Sequence, residues 1–264
     1  MSEANALLID LDGVVYEEDE LVAGADEALG WMVEAGVPHA FITNTTSRPR
    51  EALVDKLEQL GIAVDTDRIV TPAVAAAQWL SREAPGPAAL FVPVATRTDF
   101  GDLPLLDEAR DDGAASVVVG DLGDDWDFAR MNRAFRLLTA DENCAFVALG
   151  MTRYWRAEEG LRLDVGAFVS ALEYASGREA VVLGKPSREF FGMALAKLQC
   201  RPGEAVMVGD DIVTDVGGAQ SAGLRGLLVR TGKFRENDLE GDVSPDGVLD
   251  SIADLPGWWG SQGR

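Results

Sequence analysis

The chain predicts an α/β fold: a Rossmann-like parallel sheet with a second, smaller α/β domain inserted into it. Three observations carry that prediction. Short apolar runs alternate with helical patterns from the first residues onward, the order expected of parallel strands joined by crossover helices. Several of those runs end on Asp, Thr, Asn or Lys. The stretch Ala84-Pro85-Gly86-Pro87 then interrupts the series, which resumes only at Ala180.

Taken in order, Ala6 to Asp10 is the first strand expected, and Asp26 to Ala35 the first helix. Leu29, Met32 and Val33 give that helix one apolar face and Gly36 stops it. Pro38 to Thr43 reads as a strand. Arg50 to Leu60 reads as a helix with Leu53, Val54, Leu57 and Leu60 on one stripe, ending at Gly61. A helix over Ala73 to Arg82 leads into the linker. Beyond it, strands are expected at Ala89 to Val94, Ser116 to Val119 and Ala145 to Leu149, with helices near Asp127 to Thr139 and Gly166 to Ser176. The first series returns with strands at Ala180 to Leu183, Ala205 to Gly209 and Gly226 to Val229. The expected division is a core domain over 1–84 and 179–264 with an insertion over 85–178. The tail Gly257 to Arg264 is expected to be peripheral.

Composition removes many function classes. The 264 residues carry 23 basic and 45 acidic side chains, a formal charge of −22, and only four of the basic residues are Lys. Nucleic-acid binding through clustered cations is therefore not expected. No apolar run approaches the ~18 residues of a membrane span, and the first residues lack a basic, then apolar, leader pattern. A cytoplasmic protein with no membrane or nucleic-acid partner is the expectation. Cys144 and Cys200 form no CxxC pair, which argues against a thiolate zinc site or a disulfide framework. His39 is the only histidine and sits in a strand-like run, so a Ser-His-Asp triad, a Cys-His pair and HExxH or His-rich metal sites are hard to build. No GxGxxG is present, and Gly184-Lys185 and Gly232-Lys233 are followed by Pro186 and Phe234 rather than by the Ser/Thr of a phosphate-binding Walker loop.

What remains is carboxylate, Lys, hydroxyl and amide chemistry at strand ends. Asp10-Leu11-Asp12-Gly13-Val14 closes the first strand, where a period of two starts Asp10 and Asp12 on one side. Its bland reading is a turn bearing two solvated acids. Thr43-Asn44-Thr45-Thr46-Ser47 closes the second and can either cap the next helix or offer hydroxyl and N–H groups to a phosphate. Gly184-Lys185-Pro186-Ser187 brings one of the scarce lysines to another strand end. Gly209-Asp210-Asp211 with Asp215 delivers three acids, of which a helix cap explains Asp211 alone. Two carboxylates ~4 Å apart repel by roughly 4 kcal/mol at an effective dielectric near 20, so such a convergence calls for a cation. An all-oxygen site beside a phosphate favours Mg²⁺ over Zn²⁺. The chemistry that fits is attack of an Asp on phosphorus, with Lys185 and the metal neutralising charge and a second Asp moving the proton.

These four ordered motifs resemble those of the haloacid dehalogenase (HAD) superfamily, over nearly the whole chain. The insertion resembles the C2-type cap of subfamily IIA, which holds NagD-like phosphatases. Asn132 to Leu138, Phe168 to Ser176 and Val216 to Gln220 resemble the phospholysine phosphohistidine inorganic pyrophosphate phosphatase branch. The resemblance implies a Mg²⁺-dependent phosphatase acting on a small phosphorylated metabolite. Asp10 is then the nucleophile and a metal ligand. Asp12 is the general acid and base, with its backbone carbonyl on the metal. Thr43 and Asn44 hold phosphoryl oxygens, Lys185 stabilises the nucleophile and the developing charge, and Asp210 ligates the metal. Asp211 and Asp215 act behind the ligands, through water or by placing Lys185. Val14 stands where many superfamily members carry Thr. The insertion's Met151 to Arg156 offers Arg153, Tyr154, Trp155 and Arg156 to a leaving group, or else packs as the insertion's own core. Subfamily relatives often pair through the cap, so the resemblance is compatible with a homodimer. Two other readings compete: a receiver-like phosphoacceptor, and a phosphate-binding interaction protein without turnover.

Overall fold

The computed structural model describes residues 5–157 and 159–262. Its contacts divide the chain into two units: one holds residues up to Thr43, Glu51–Val70 and from Lys185 on, the other Asn44–Arg50 and Thr71–Gly184. The α/β prediction holds in both.

The first unit is built on a six-stranded, wholly parallel sheet. Its order is Gly247–Leu249, Arg225–Val229, Ala205–Gly209, Ala6–Asp10, His39–Ile42 and Ile69–Val70. The two central strands are wholly buried and, up to the terminal Asp10, apolar, as a sheet covered on both faces requires. Leu7, Ile9, Val206, Val208 and Leu227 face one apolar cluster with Met32, Phe41 and Leu57, each worth about 1.5–3 kcal/mol of burial. Because every strand runs the same way, every carboxyl end opens at one edge. Ile9 lies level with Val208 and Asp10 with Ile42, which brings Asp10, Thr43 and Asp210 to that edge together.

The second unit has its own four-stranded parallel sheet, ordered Val181–Val182, Ala145–Ala148, Ser116–Val119 and Ala88–Phe91. Helices Phe128–Ala140 and Val165–Ser176, capped by Asp127 and Asp164, pack on it. The strand expected at Ala180 to Leu183 is thus present over two residues but pairs in this sheet, not in the first. The helix Pro72–Glu83 also belongs here by contact, so the Pro/Gly stretch at 84–87 lies inside a unit rather than between two. Within the first unit, Val33 is exposed rather than on the buried face of its helix. The tail is not peripheral: Leu255–Ser261 is a helix, Leu255 is buried, and Trp258 and Trp259 pack on the core, with Trp259 edge-on to Trp31 at 6.4 Å. Gly263 and Arg264 lie outside the described residues. No described helix is long and apolar enough to cross a membrane.

His39 is structural. It is buried on its strand, with Nδ1 2.8 Å from the Val37 carbonyl and Nε2 3.2 Å from an Arg68 guanidinium N–H. Nδ1–H donates and Nε2 accepts, which requires the neutral ring. Burial, helped by the Arg68 charge, holds its pKa below the ordinary value of 6.5 against the pull of the Val37 carbonyl. A depressed pKa contributes stability that is present above 6.5 and lost as pH falls through the folded value. Wild type should therefore lose stability relative to His39→Gln between pH 7.5 and 5.5, read as the difference between their urea midpoints. A constant difference would contradict the assignment.

Candidate active site

Asp10 is the last residue of its strand and is buried. One carboxylate oxygen accepts the Leu11 N–H at 2.8 Å and the other lies 2.7 Å from Lys185 Nζ. The same Nζ lies 2.8 Å from Asp215 Oδ1. Lys185 and Asp215 are buried too, so two acids share one ammonium out of water. Burial raises the pKa of Asp10 despite Lys185, with Asp210 adding to the rise. Burial likewise pushes Asp215 up to about 7, against Lys185 and with Asp10. For Lys185 burial works the other way, but attraction to Asp10 and Asp215 wins and its pKa is raised. The lysine stays charged, and the excess negative charge sits on the acids.

Asp215 reaches this position through a wide helical turn, Ile212–Gly217, of the π type common at functional sites. Its N–H returns to the Asp211 carbonyl at 3.0 Å, and its Oδ2 accepts the Asp211 N–H at 3.1 Å. Asp211 itself is the cap: Oδ1 accepts the N–H groups of Val213 and Thr214, both at 3.0 Å. Burial would raise its pKa, yet the Thr214 N–H, the Lys233 charge and the Val213 N–H outweigh it and hold the carboxyl low. Asp211 is thus accounted for by its capping role, whereas Asp10, Asp210 and Asp215 gather carboxylate oxygens within 4.8 Å of one another.

Asp210 is clasped by residues that sequence reasoning missed. Its Oδ2 accepts the Lys233 N–H at 2.8 Å. Gly13 and Gly232 press on the same oxygen: both have positive φ, at 80° and 62°, and a Cβ on either would sit 2.1 Å from Oδ2. The Thr231 hydroxyl donates to the Gly13 carbonyl, and the Gly232 N–H donates to Glu17 Oε1 at 2.6 Å, closing the clasp. Asp210 Oδ1, in contrast, is buried and has no hydrogen-bond partner among the described residues. Burial lifts the Asp210 pKa to about 6, the Lys233 N–H opposing and Asp215 adding. A buried carboxylate oxygen left open beside two further carboxylates fits a hard divalent cation such as Mg²⁺. The signal for Thr231 to Lys233 was one more strand, Arg225–Val229, ending on polar residues at the same edge.

Asp12 lies two residues past its strand, exposed, bridged to Tyr16 and outside the carboxylate cluster. Asp215 stands in that cluster instead. Thr43 is buried, with its N–H 3.3 Å from the Val70 carbonyl. Asn44, the next residue, belongs to the second unit. There it runs beside Gly184 and, with Thr46, Asp121, Trp155 and Asp164, lines a cavity of about 270 Å³. Tyr154 and Trp155 are half exposed on the hairpin Tyr154–Ala157 and Gly160–Leu163, not core, and Arg153 lies over the Tyr154 ring at 5.8 Å. The Arg156 side chain lies outside the described residues.

Residues 7–99 match the haloacid dehalogenase-like hydrolase family, and residues 182–255 a HAD-hydrolase-like family. The phospholysine phosphohistidine inorganic pyrophosphate phosphatase of Rattus norvegicus is 38% identical over 259 residues, covering 96% of this chain and 93% of that one. The chain belongs to the haloacid dehalogenase-like hydrolases. The haloacid dehalogenase-like hydrolase domain-containing protein 2 of Homo sapiens is 39% identical over 235 residues, 89% of this chain and 87% of that one. The p-nitrophenyl phosphatase of Archaeoglobus fulgidus superposes with a TM-score of 0.87 at 27% identity, covering 96% of this chain and 98% of that one.

Proposed function

We propose that this HAD-type phosphatase hydrolyses a small phosphorylated metabolite through an aspartyl-phosphate on Asp10, with Mg²⁺ as cofactor. The observation that carries the reading is the buried Asp10 carboxylate, paired with an ammonium it shares with Asp215 and clustered with the carboxylates of Asp210 and Asp215. Asp10 attacks phosphorus, the bond from phosphorus to the leaving oxygen breaks, and Asp12 gives that oxygen a proton. Asp12, exposed and outside the cluster, is free of the ion pairs that occupy Asp10 and Asp215. In the second half it takes a proton from water, which attacks phosphorus, releases phosphate and restores Asp10. The Thr43 hydroxyl and Asn44 amide hold phosphoryl oxygens, and Lys185 stabilises their charge. Asp10, the Asp12 carbonyl and Asp210 would hold Mg²⁺, which supplies further positive charge to the phosphoryl group. Asp215 keeps Lys185 in place.

The test is release of inorganic phosphate from 4-nitrophenyl phosphate by the Mg²⁺-loaded protein. Many turnovers per molecule, lost in EDTA and restored by Mg²⁺, are expected. A single stoichiometric phosphorylation would instead support a phosphoacceptor, and hydrolysis that resists the chelator would contradict the metal assignment. The rat relative's name sets the first substrate panel: phospholysine, phosphohistidine and pyrophosphate, beside sugar phosphates, phosphoglycolate and nucleotides.

A further inference from the structure

Residues 44–49 have no helix or strand of their own, and side chains from a later part of the second unit bond to the segment and to the residue that ends it. Thr96 Oγ1 donates to the Thr46 carbonyl at 3.2 Å. The two oxygens of Asp99 accept the Arg50 N–H at 3.2 and 3.1 Å, and Arg50 Nε lies 3.6 Å from Oδ1. Thr71, the cap of helix Pro72–Glu83, donates its hydroxyl to Asp99 Oδ2 at 3.2 Å. Thr71 and Thr96 are fully buried and Asp99 is 8% exposed. A buried carboxylate is costly unless donors converge on it, and here they come from both ends of the arrangement. Thr96 and Asp99 share one short helical turn, Ala95–Phe100, in the inserted unit. They hold the segment at its middle and at its end, while its first residue, Asn44, faces the cavity beside Trp155 and Asp164.

We propose that Thr96 and Asp99 are positioning residues for phosphoryl binding: through segment 44–50 they set where Asn44 presents its amide. The inference rests on the reading of Asn44 as a phosphoryl-oxygen donor. The test compares full-length, Mg²⁺-loaded Asn44→Ala, Thr96→Val, Thr96→Ser and Asp99→Asn in hydrolysis of 4-nitrophenyl phosphate, with inorganic phosphate as competitive inhibitor. Thr96→Val and Asp99→Asn should raise KM and the phosphate inhibition constant about tenfold, the factor that corresponds to about 1.4 kcal/mol, with kcat changed less. Asn44→Ala should do the same, and Thr96→Ser, which keeps the hydroxyl, should restore the wild-type constant. If Thr96→Val and Asp99→Asn lower only the melting temperature while Asn44→Ala weakens phosphate binding, the two residues are merely structural and the proposal falls. If Asn44→Ala leaves both constants unchanged, the reading of Asn44 fails and the proposal with it. Should Asp99→Asn not fold, the Thr96→Val and Thr96→Ser pair decides.

Discussion

Asp10→Asn should abolish turnover, by roughly 10⁴-fold or more, the scale on which loss of a covalent nucleophile is felt, without loss of fold. The amide keeps the shape of the side chain, and its single oxygen can accept from either the Leu11 N–H or the Lys185 ammonium, so one of the two contacts is given up. The charge arithmetic also favours a folded variant. In the wild type two buried carboxylates share one ammonium. In the variant Lys185 and Asp215 stand one to one, and the repulsion from Asp210 that raises the Asp10 pKa is gone. The melting temperature measured in EDTA should therefore be no lower than that of wild type. Full activity in Asp10→Asn would remove the proposed nucleophile.

Lys185→Met should be the most destabilising single change at the site. It leaves Asp10 and Asp215 buried and facing each other with no shared cation, and removing one partner of a buried ion pair typically costs about 3–5 kcal/mol. Activity should be lost as well. The cost should depend on pH in one direction. Asp215 already has its pKa pushed up to about 7 with the lysine present, and without it the neutral acid is favoured further. A carboxyl whose folded pKa is raised contributes stability that is present at low pH and lost as pH rises through the folded value. Urea midpoints in EDTA should accordingly show a large deficit at pH 8 that shrinks toward pH 5.5. A variant as stable as wild type at pH 8 would show that Lys185 is not the counter-ion of these acids.

The parts of the site that the sequence makes legible are those carried by side chains on strong strands. Ala6–Ile9 and Ala205–Gly209 are apolar runs followed at once by acids, Asp10 and Asp210, so their edge and its chemistry are visible from the pattern. The clasp on Asp210 is different. Much of what it contributes is backbone, a Lys233 N–H and two glycines pressed against one oxygen, and backbone donors leave no mark on residue type. Gly232-Lys233 was visible only as a failed nucleotide motif. Edge strands such as Ile69–Val70 are two residues long, too short for a period to register. Val181–Val182 reads as a strand, but which sheet it joins is settled by long-range pairing with Ala145–Ala148. Trp258 and Trp259 lie in a Gly-rich tail that looks solvated until Trp31 supplies a partner.

The boundary at Thr43 and Asn44 bears on how such enzymes could be recombined. Thr43 and Asn44, both proposed to hold phosphoryl oxygens, fall in different units, and at the other end Gly184 and Lys185 are divided in the same way. A chimaera that exchanges only the continuous stretch from Thr71 to Gly184 would keep the recipient's Thr46 and Arg50 while replacing Thr96 and Asp99, and so would mismatch the bonds between them. A graft that also carries residues 44–50 transplants that set intact and leaves Asp10, Thr43, Lys185, Asp210 and Asp215 to the recipient.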